Sequence, residues 1–573
     1  MPEKLPTTST LPSCIDDQAI SRVIGWATAT HLRAVALLVL IAATCFLPGL
    51  AGIAPVDRDE ARFVQATRQM LETGDFVDIR LQDEPRYKKP IGIYWLQAAA
   101  ATVTGQGASA PIWAYRLVSV LGGFAAVLLT YWAALPLFGR RVGFIAAAAM
   151  ATSLLLTVEA HLAKTDAVLL ATVVLAQGVL ARAYVAPQGE RLSLPVAMLF
   201  WFGLGLGILV KGPIVVMVVA LTATSLAIAD RRIGWLSGLR PALGVPLALL
   251  IVLPWFLAIL SISGTGFFSA SIGGDLLDKL ATGQESHWGP PGYHLVLAFI
   301  LFLPMAVLLP SAIVPAWRLR RQAAVRFCLA WLLPTWLVFE LVATKLPHYT
   351  LPLYPALAIL VAVVVDRSRL VTGLWWTRLA AFPAALMLAA AMIAGVVLLD
   401  LHEGIVSVPA LVLAFAAICL AFGAARAGWH DQLQAAGALL AGGAIVAATG
   451  LFGIILPEAT AFQLSPRIAA TVARVSPCPA PDLVSTGYDE PSLVFATDTG
   501  IRLADPRSAA DFLGGPGCRL ALVEARKEHA FLQRAGRRAI AVEKVETVAG
   551  MSLGRFEPLG VGIYRAVSQS EAQ

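Results

Sequence analysis

The chain has 573 residues, 58% of them hydrophobic and 14% charged, with a mean hydropathy of +0.75 and a formal net charge of +7. Ordinary soluble domains are about a quarter charged, so these figures exclude that class and indicate a polytopic α-helical membrane protein. The net positive charge requires no nucleic-acid partner, because basic residues collect in the loops on one side of a membrane protein.

Residues 1–30 are mostly polar and lack a short apolar region before a cleavage site. They read as part of a cytoplasmic tail, 1–32, with the first span an uncleaved anchor. Apolar runs then fall near 33–52, 116–137, 142–158, 166–184, 194–209, 212–229, 241–261, 293–314, 325–343, 350–365, 375–398, 405–423 and 434–456. Runs of about 17 to 25 residues suffice for a hydrocarbon core of roughly 30 Å, so about thirteen transmembrane helices are expected. Residues 91–105 are apolar but short, and fit an interfacial position. Arg140-Arg141, Arg182 with Arg191, Arg231-Arg232 with Arg240, Arg318 with Arg320-Arg321, Arg367 with Arg369, and Arg426 occupy alternate loops. The excess of arginine in these loops makes their side cytoplasmic, which puts 457–573 outside.

Loop 53–115 breaks that bias. It reads Asp57-Arg58-Asp59-Glu60-Ala61-Arg62-Phe63, passes Gly74-Asp75-Phe76, and reaches Arg86-Tyr87-Lys88-Lys89-Pro90 and Tyr94-Trp95-Leu96. Part of it suits an amphipathic helix, with Phe63, Ala66, Met70 and Leu71 on an interfacial face. The cluster of Asp59, Glu60 and Arg62 with Lys88-Lys89-Pro90 lies against membrane segments, where charges are costly unless paired and are commonly functional. The second outer loop holds Glu159, His161, Lys164 and Asp166. Asp166 opens a span, as a helix cap or as a catalytic carboxylate. Lys211-Gly212-Pro213 steps between two spans. Loop 262–292 carries a helix-like stretch, then a Gly/Pro-bounded turn with Glu285 and His287, a candidate lid or sugar-binding element, flanked by Trp288 and Tyr293. Further on comes Lys345-Leu346-Pro347-His348-Tyr349-Thr350-Leu351-Pro352, followed by Tyr354-Pro355-Ala356-Leu357-Ala358.

Residues 457–573 change character. Short apolar runs at 483–486, 519–523 and 560–564 alternate with helix-like segments such as Glu524 to Arg538. This alternation predicts a small α/β domain outside a transmembrane domain of 33–456. Cys45, Cys328 and Cys419 read as apolar fillers within spans. Cys478 and Cys518 share the outer, oxidising compartment and are able to pair.

The motifs of loop 53–115, the Lys-Gly step and the Lys-Leu-Pro segment together resemble bacterial lipid A aminoarabinose transferases. That family is related to protein O-mannosyltransferases and has the GT-C fold. The resemblance covers most of the chain. It implies a polyprenyl (undecaprenyl-type) phosphate sugar donor, inverting transfer at the outer face of a bacterial inner membrane, and an envelope acceptor. Lipid A or another glycolipid is the expected acceptor, with a polysaccharide or protein as alternatives. In such a reaction charge builds on the departing lipid phosphate, so cations belong there. Arg62, Lys89 and Lys345, then Lys88 and Arg58, are the candidates. Asp59, then Glu60 and Asp166, are the candidate catalytic carboxylates, and Glu285, His287, His348 and Tyr349 the candidate substrate or lid residues.

The sequence departs from the family at Lys88, where relatives often carry an acidic residue implicated in metal binding. No metal site is assigned and no cofactor is expected, although Glu285, His287 and His348 are donor types that leave a divalent metal open. A polyprenyl-diphosphate glycan ligase or polymerase and a lipid-linked sugar transporter are the rival readings. The transporter is disfavoured because the ionisable residues gather on one face and no internal repeat is evident.

Overall fold

Each expected apolar run coincides with helix in the computed structural model, which describes residues 17–56, 58–187, 189–277, 288–367, 375–552 and 557–567. By length and apolarity, eight helices among the described residues are able to cross a membrane, or up to ten if each of two bent pairs crosses as one span. The expected thirteen is not reached on that basis.

Expected spans 116–137 and 142–158 enter that count as a single helix. The chain runs as Ile112–Ala151, 40 residues, interrupted at Gly139, whose φ of 82° lies in the left-handed region that glycine adopts without steric cost. A Cβ on Gly143 would meet the Tyr131 carbonyl oxygen at 3.1 Å. Twelve residues of straight helix span about 18 Å, so the chain doubles back at this break. The expected loop at Arg140-Arg141 is thus only a tight turn. Expected span 293–314 is likewise bent by 119° between Tyr293–Leu301 and Met305–Arg318.

Two close helix approaches set the positions of the residues discussed below. Gly122 faces the backbone of Ala167 and Val168, where a Cβ would come within 2.9 Å. Gly92, opening the helix Gly92–Val103, faces Leu209 and Val210, where a Cβ would stand 2.7 Å from the Leu209 carbonyl oxygen. Residues 91–105 therefore pack into the protein, with Ile91, Ile93, Tyr94 and Ala98 buried. The amphipathic helix of the first loop is present as Asp59–Thr73, but Phe63, Ala66 and Met70 turn inward to the main core instead of toward an interface.

The C-terminal part forms a five-stranded sheet. Its order is Arg502–Leu503, Asp482–Thr486, Arg519–Glu524, Pro558–Ala566, Val542–Met551, the first three parallel and the last two antiparallel additions. Alternation along the strands feeds two cores. Leu483, Leu520, Leu522 and Ile563 pack with Leu464, Ile468 and Val472 of the helix Leu464–Val475. Val484, Ala521, Val523 and Tyr564 pack on the other face with Phe512 and Phe531 of the helices Pro506–Leu513 and Ala525–Arg537. Both faces are covered, as a largely parallel sheet requires. Cys478 and Cys518 form a disulfide.

This unit rests on the helix Asp59–Thr73. Gln65 Nε2 donates to Thr499 Oγ1 at 2.7 Å, Arg68 Nη1 to the Phe495 carbonyl at 2.8 Å, and Thr499 Oγ1 to Glu72 Oε2 at 2.8 Å.

Candidate active site

The first-loop helix is held by a buried ion pair next to Asp59. Glu60 is 2% exposed and Arg116 fully buried. Arg116 Nε and Nη2 donate to the two Glu60 oxygens at 2.8 and 2.9 Å, and the N–H groups of Ala163 and Val56 donate to the same carboxylate at 2.7 and 2.8 Å. Arg116 also donates to the carbonyls of Leu50, Ile53 and Ala54. A buried charge pair is stable only when its remaining hydrogen-bonding capacity is met, as it is here. Glu60 therefore clamps the second outer loop to the first. It does not line the cavity described next.

That cavity, of about 530 Å³, opens between the first-loop helix, the ends of the helices Asp166–Val185 and Leu194–Lys211, and the segment 344–352. Asp59, Arg62, Lys88 and Lys89, all candidates from the sequence, line it. So do Asp166, His348 and Tyr349. The segment bearing Lys88-Lys89-Pro90 is braced from behind. Tyr87 Oη donates to Asp78 Oδ1 at 2.7 Å, and Trp95 and Trp255 donate to the carbonyls of Phe76 and Val77 at 2.8 and 3.1 Å.

Asp166 is the hub of the opposite wall. Lys211 Nζ donates to its Oδ1 at 2.5 Å, Lys164 Nζ lies 3.8 Å from Oδ2, and His348 Nε2 lies 3.8 Å from Oδ1. No side-chain cap bond forms at the start of this helix, so Asp166 is not there as a cap. Lys211 reaches it because Gly212, with φ 68°, ends the preceding helix and Pro213 starts the turn into the next. This is the physical content of the Lys-Gly-Pro step. Lys164 also pairs with Glu159 Oε1 at 3.0 Å. Burial pushes the Glu159 carboxyl up to about 7 despite Lys164, and its Oε2 has no hydrogen-bond partner among the described residues. Against burial, Glu159 and Asp166 hold the Lys164 ammonium above the usual lysine range. His161 is apart from this set, stacked on Phe452 at 4.1 Å between ring centroids and hydrogen-bonded at 2.8 Å to the carbonyls of Thr157 and Pro48.

The structure corrects three candidates. Arg58 is exposed, at φ 71° just before the helix, and does not line the cavity. Lys345 is buried and donates to the carbonyls of Phe339, Glu340 and Val342 at the end of the helix Ala323–Leu341. A lysine there satisfies carbonyls left open by the helix, and it is not among the residues lining the cavity. Glu60, as shown, is a clamp. Glu285 and His287 lie outside the described residues. Sequence reasoning did not put forward Arg86, Lys164 or Lys211 as site residues, yet all three line the cavity. Arg86, with its guanidinium 4.8 Å from the Phe63 ring centroid, sits three residues before Lys89 in the same basic run, which was the available signal.

The remaining wall is apolar, from Ile208, Met217, Phe256, Phe267, Phe268 and Val342. The cavity thus joins two carboxylates and a set of cations to an apolar flank, an arrangement that suits an anion with a long hydrocarbon tail. Among the described residues no three His, Cys, Asp or Glu side chains converge as metal ligands. Lys88 adds a cation to the cavity lining beside Lys89.

Residues 88–257 match the family described as dolichyl-phosphate-mannose-protein mannosyltransferase. The undecaprenyl phosphate-alpha-4-amino-4-deoxy-L-arabinose arabinosyl transferase of Pectobacterium carotovorum subsp. carotovorum is 28% identical over 68% of this chain and 71% of its own. Its namesake from Pseudomonas aeruginosa is 31% identical over 54% of this chain, a match that spans only 56% of that protein. The crystal structure of ArnT from Cupriavidus metallidurans bound to undecaprenyl phosphate superposes with a TM-score of 0.73 at 21% identity, covering 93% of this chain and 98% of that one.

Proposed function

We propose that this multi-pass membrane protein, which has the GT-C fold and is related to lipid A aminoarabinose and protein O-mannosyl transferases, moves a sugar from a polyprenyl phosphate to an envelope acceptor. The acceptor is lipid A or another glycolipid. The reaction takes place at the outer face of a bacterial inner membrane, with the N-terminus cytoplasmic and the C-terminal sheet periplasmic, as the arginine distribution favours. One observation carries the reading: carboxylates, clustered cations and an apolar flank share one cavity.

The chemistry follows from these groups. The acceptor oxygen attacks the anomeric carbon from the face opposite the leaving group, the bond from that carbon to the phosphate oxygen breaks, and configuration inverts. The lipid phosphate leaves with both bonding electrons. Arg62 and Lys89, with Lys88 and Arg86 near them, stabilise that charge. A hydroxyl acceptor must also lose its proton, and Asp59 is assigned as the base. Asp166, held by Lys211 and Lys164, orders the cations of the opposite wall. A phosphate acceptor is already anionic and would need orientation only.

Purified protein with polyprenyl-phosphate sugars and total envelope acceptors tests this. Wild type should move label into lipid, and Lys89→Ala should lose at least about 100-fold. Equal transfer by both would keep the enzyme class and remove Lys89 from the phosphate site. Transfer only from diphosphate-linked donors would establish the ligase reading instead.

A further inference from the structure

The cations lining the cavity are not equivalent. Lys164 and Lys211 are paired with Glu159 and Asp166, and Lys88 and Lys89 have interaction partners of their own. Arg62 is half-buried and keeps contact with solvent. Arg86 differs from all of them. It is 8% exposed, its Nε has no hydrogen-bond partner, and it forms no ion pair among the described residues. Its guanidinium lies against the Phe63 ring, which packs in turn on the buried Tyr94 at 5.6 Å between ring centroids. The main chain is fixed as well. The Arg86 N–H donates to the Ile79 carbonyl at 2.7 Å, beside the short hairpin of Arg80–Leu81 and Glu84–Pro85. Gln82, at the turn of that hairpin, is bonded to Gln69 and to the carbonyls of Thr499 and Ile501. A buried charge without a counterion destabilises the fold that holds it, and such a cost is characteristic of a group kept for function.

We infer that Arg86 is the principal ligand of the donor's phosphate, and that the protein gives up stability to hold it there. The inference rests on the transferase reading above and deepens it. A guanidinium presents a planar fork able to meet two phosphate oxygens at once, which an ammonium cannot do. Contact with the Phe63 ring restrains the plane of that fork. The apolar flank of the same cavity suits the hydrocarbon tail attached to the phosphate.

The test compares wild type, Arg86→Met and Arg86→Lys, each as the whole protein in lipid nanodiscs. Binding of undecaprenyl phosphate, undecaprenol and a phosphorylated glycolipid is measured, together with the melting temperature. Arg86→Met should weaken undecaprenyl phosphate at least about 30-fold, and Arg86→Lys about ten-fold, with undecaprenol unchanged. Without ligand, Arg86→Met should melt about 2 °C or more above wild type, because it removes a buried charge that has no counterion. Loss of an arginine with a purely structural role would have the opposite sign. A lower melting temperature for Arg86→Met, or undecaprenyl phosphate bound as tightly as by wild type, would overturn the inference. Weakened binding of the glycolipid in place of undecaprenyl phosphate would overturn the assignment to the donor. Full affinity in Arg86→Lys would overturn the role of the fork. Binding losses as expected, with transfer from no sugar donor, would uphold the inference and count against the transferase reading. Transfer from a polyprenyl-phosphate sugar that Arg86→Met leaves intact would do the reverse.

Discussion

Asp59 and Glu60 are adjacent and chemically alike, but they have different surroundings. Asp59 opens into the cavity, whereas Glu60 is enclosed by Arg116 and two backbone N–H groups. Asp59→Asn should therefore cut transfer to a hydroxyl acceptor by about 100-fold or more while leaving the melting temperature unchanged. Glu60→Gln should do the reverse of this in origin: breaking a buried pair costs about 3–5 kcal/mol, so the protein melts early and loses activity only through unfolding. A melting scan beside an initial-rate assay separates the two. The sequence marked both carboxylates because both sit in a charged loop beside the membrane. It could not separate them, since the deciding partner, Arg116, lies 56 residues away inside an apolar run. Lys345 was misjudged for a related reason, because its partners are backbone carbonyls, which leave no trace in side-chain pattern. The sequence pointed to Asp166, Lys89 and His348, which line the cavity, because a charge at the end of a span has few structural uses. Glu159 adds a pH dependence. Ionised above about 7, it holds Lys164; neutral below that, it releases Lys164 toward Asp166 and the cavity. The KM for an anionic donor should fall as pH drops through 7, and Glu159→Gln should flatten the profile at the low-pH value.

At the level of elements, the site depends on how closely three helices approach one another. Gly92 lets the helix behind Lys88-Lys89-Pro90 touch the backbone just before Lys211, and so brings the two walls within reach of one ligand. Gly92→Ala would put a Cβ against the Leu209 carbonyl with no side chain able to yield. The expected cost is about 1–3 kcal/mol, together with a raised donor KM that would show in the same kinetic assay. The spans themselves were readable from apolar run length, and the strands from alternation. The turn at Gly139 was readable from the break at Arg140-Arg141 between two apolar runs, but the bend near Pro304 was not, because a hydropathy run reports burial in lipid and carries little information on direction.

Across the whole molecule, the helix Asp59–Thr73 has a further consequence. One of its ends brings Asp59 and Arg62 to the cavity, and its remaining length, through Gln65, Arg68 and Glu72, seats the C-terminal sheet at Phe495 and Thr499. A single rigid rod thus answers to two bodies at once. Whatever stiffens the rod from one end must be felt at the other, and thermodynamic reciprocity makes the effect equal in both directions. Donor lipid bound in the cavity should slow hydrogen exchange in the sheet strands 482–486 and 519–524, far from any atom it touches. Loosening the seat with Gln65→Ala and Thr499→Ala should weaken donor binding by the same factor. The sheet, which contributes no side chain to the cavity lining, would then act as a counterweight that sets how firmly the reacting groups are held.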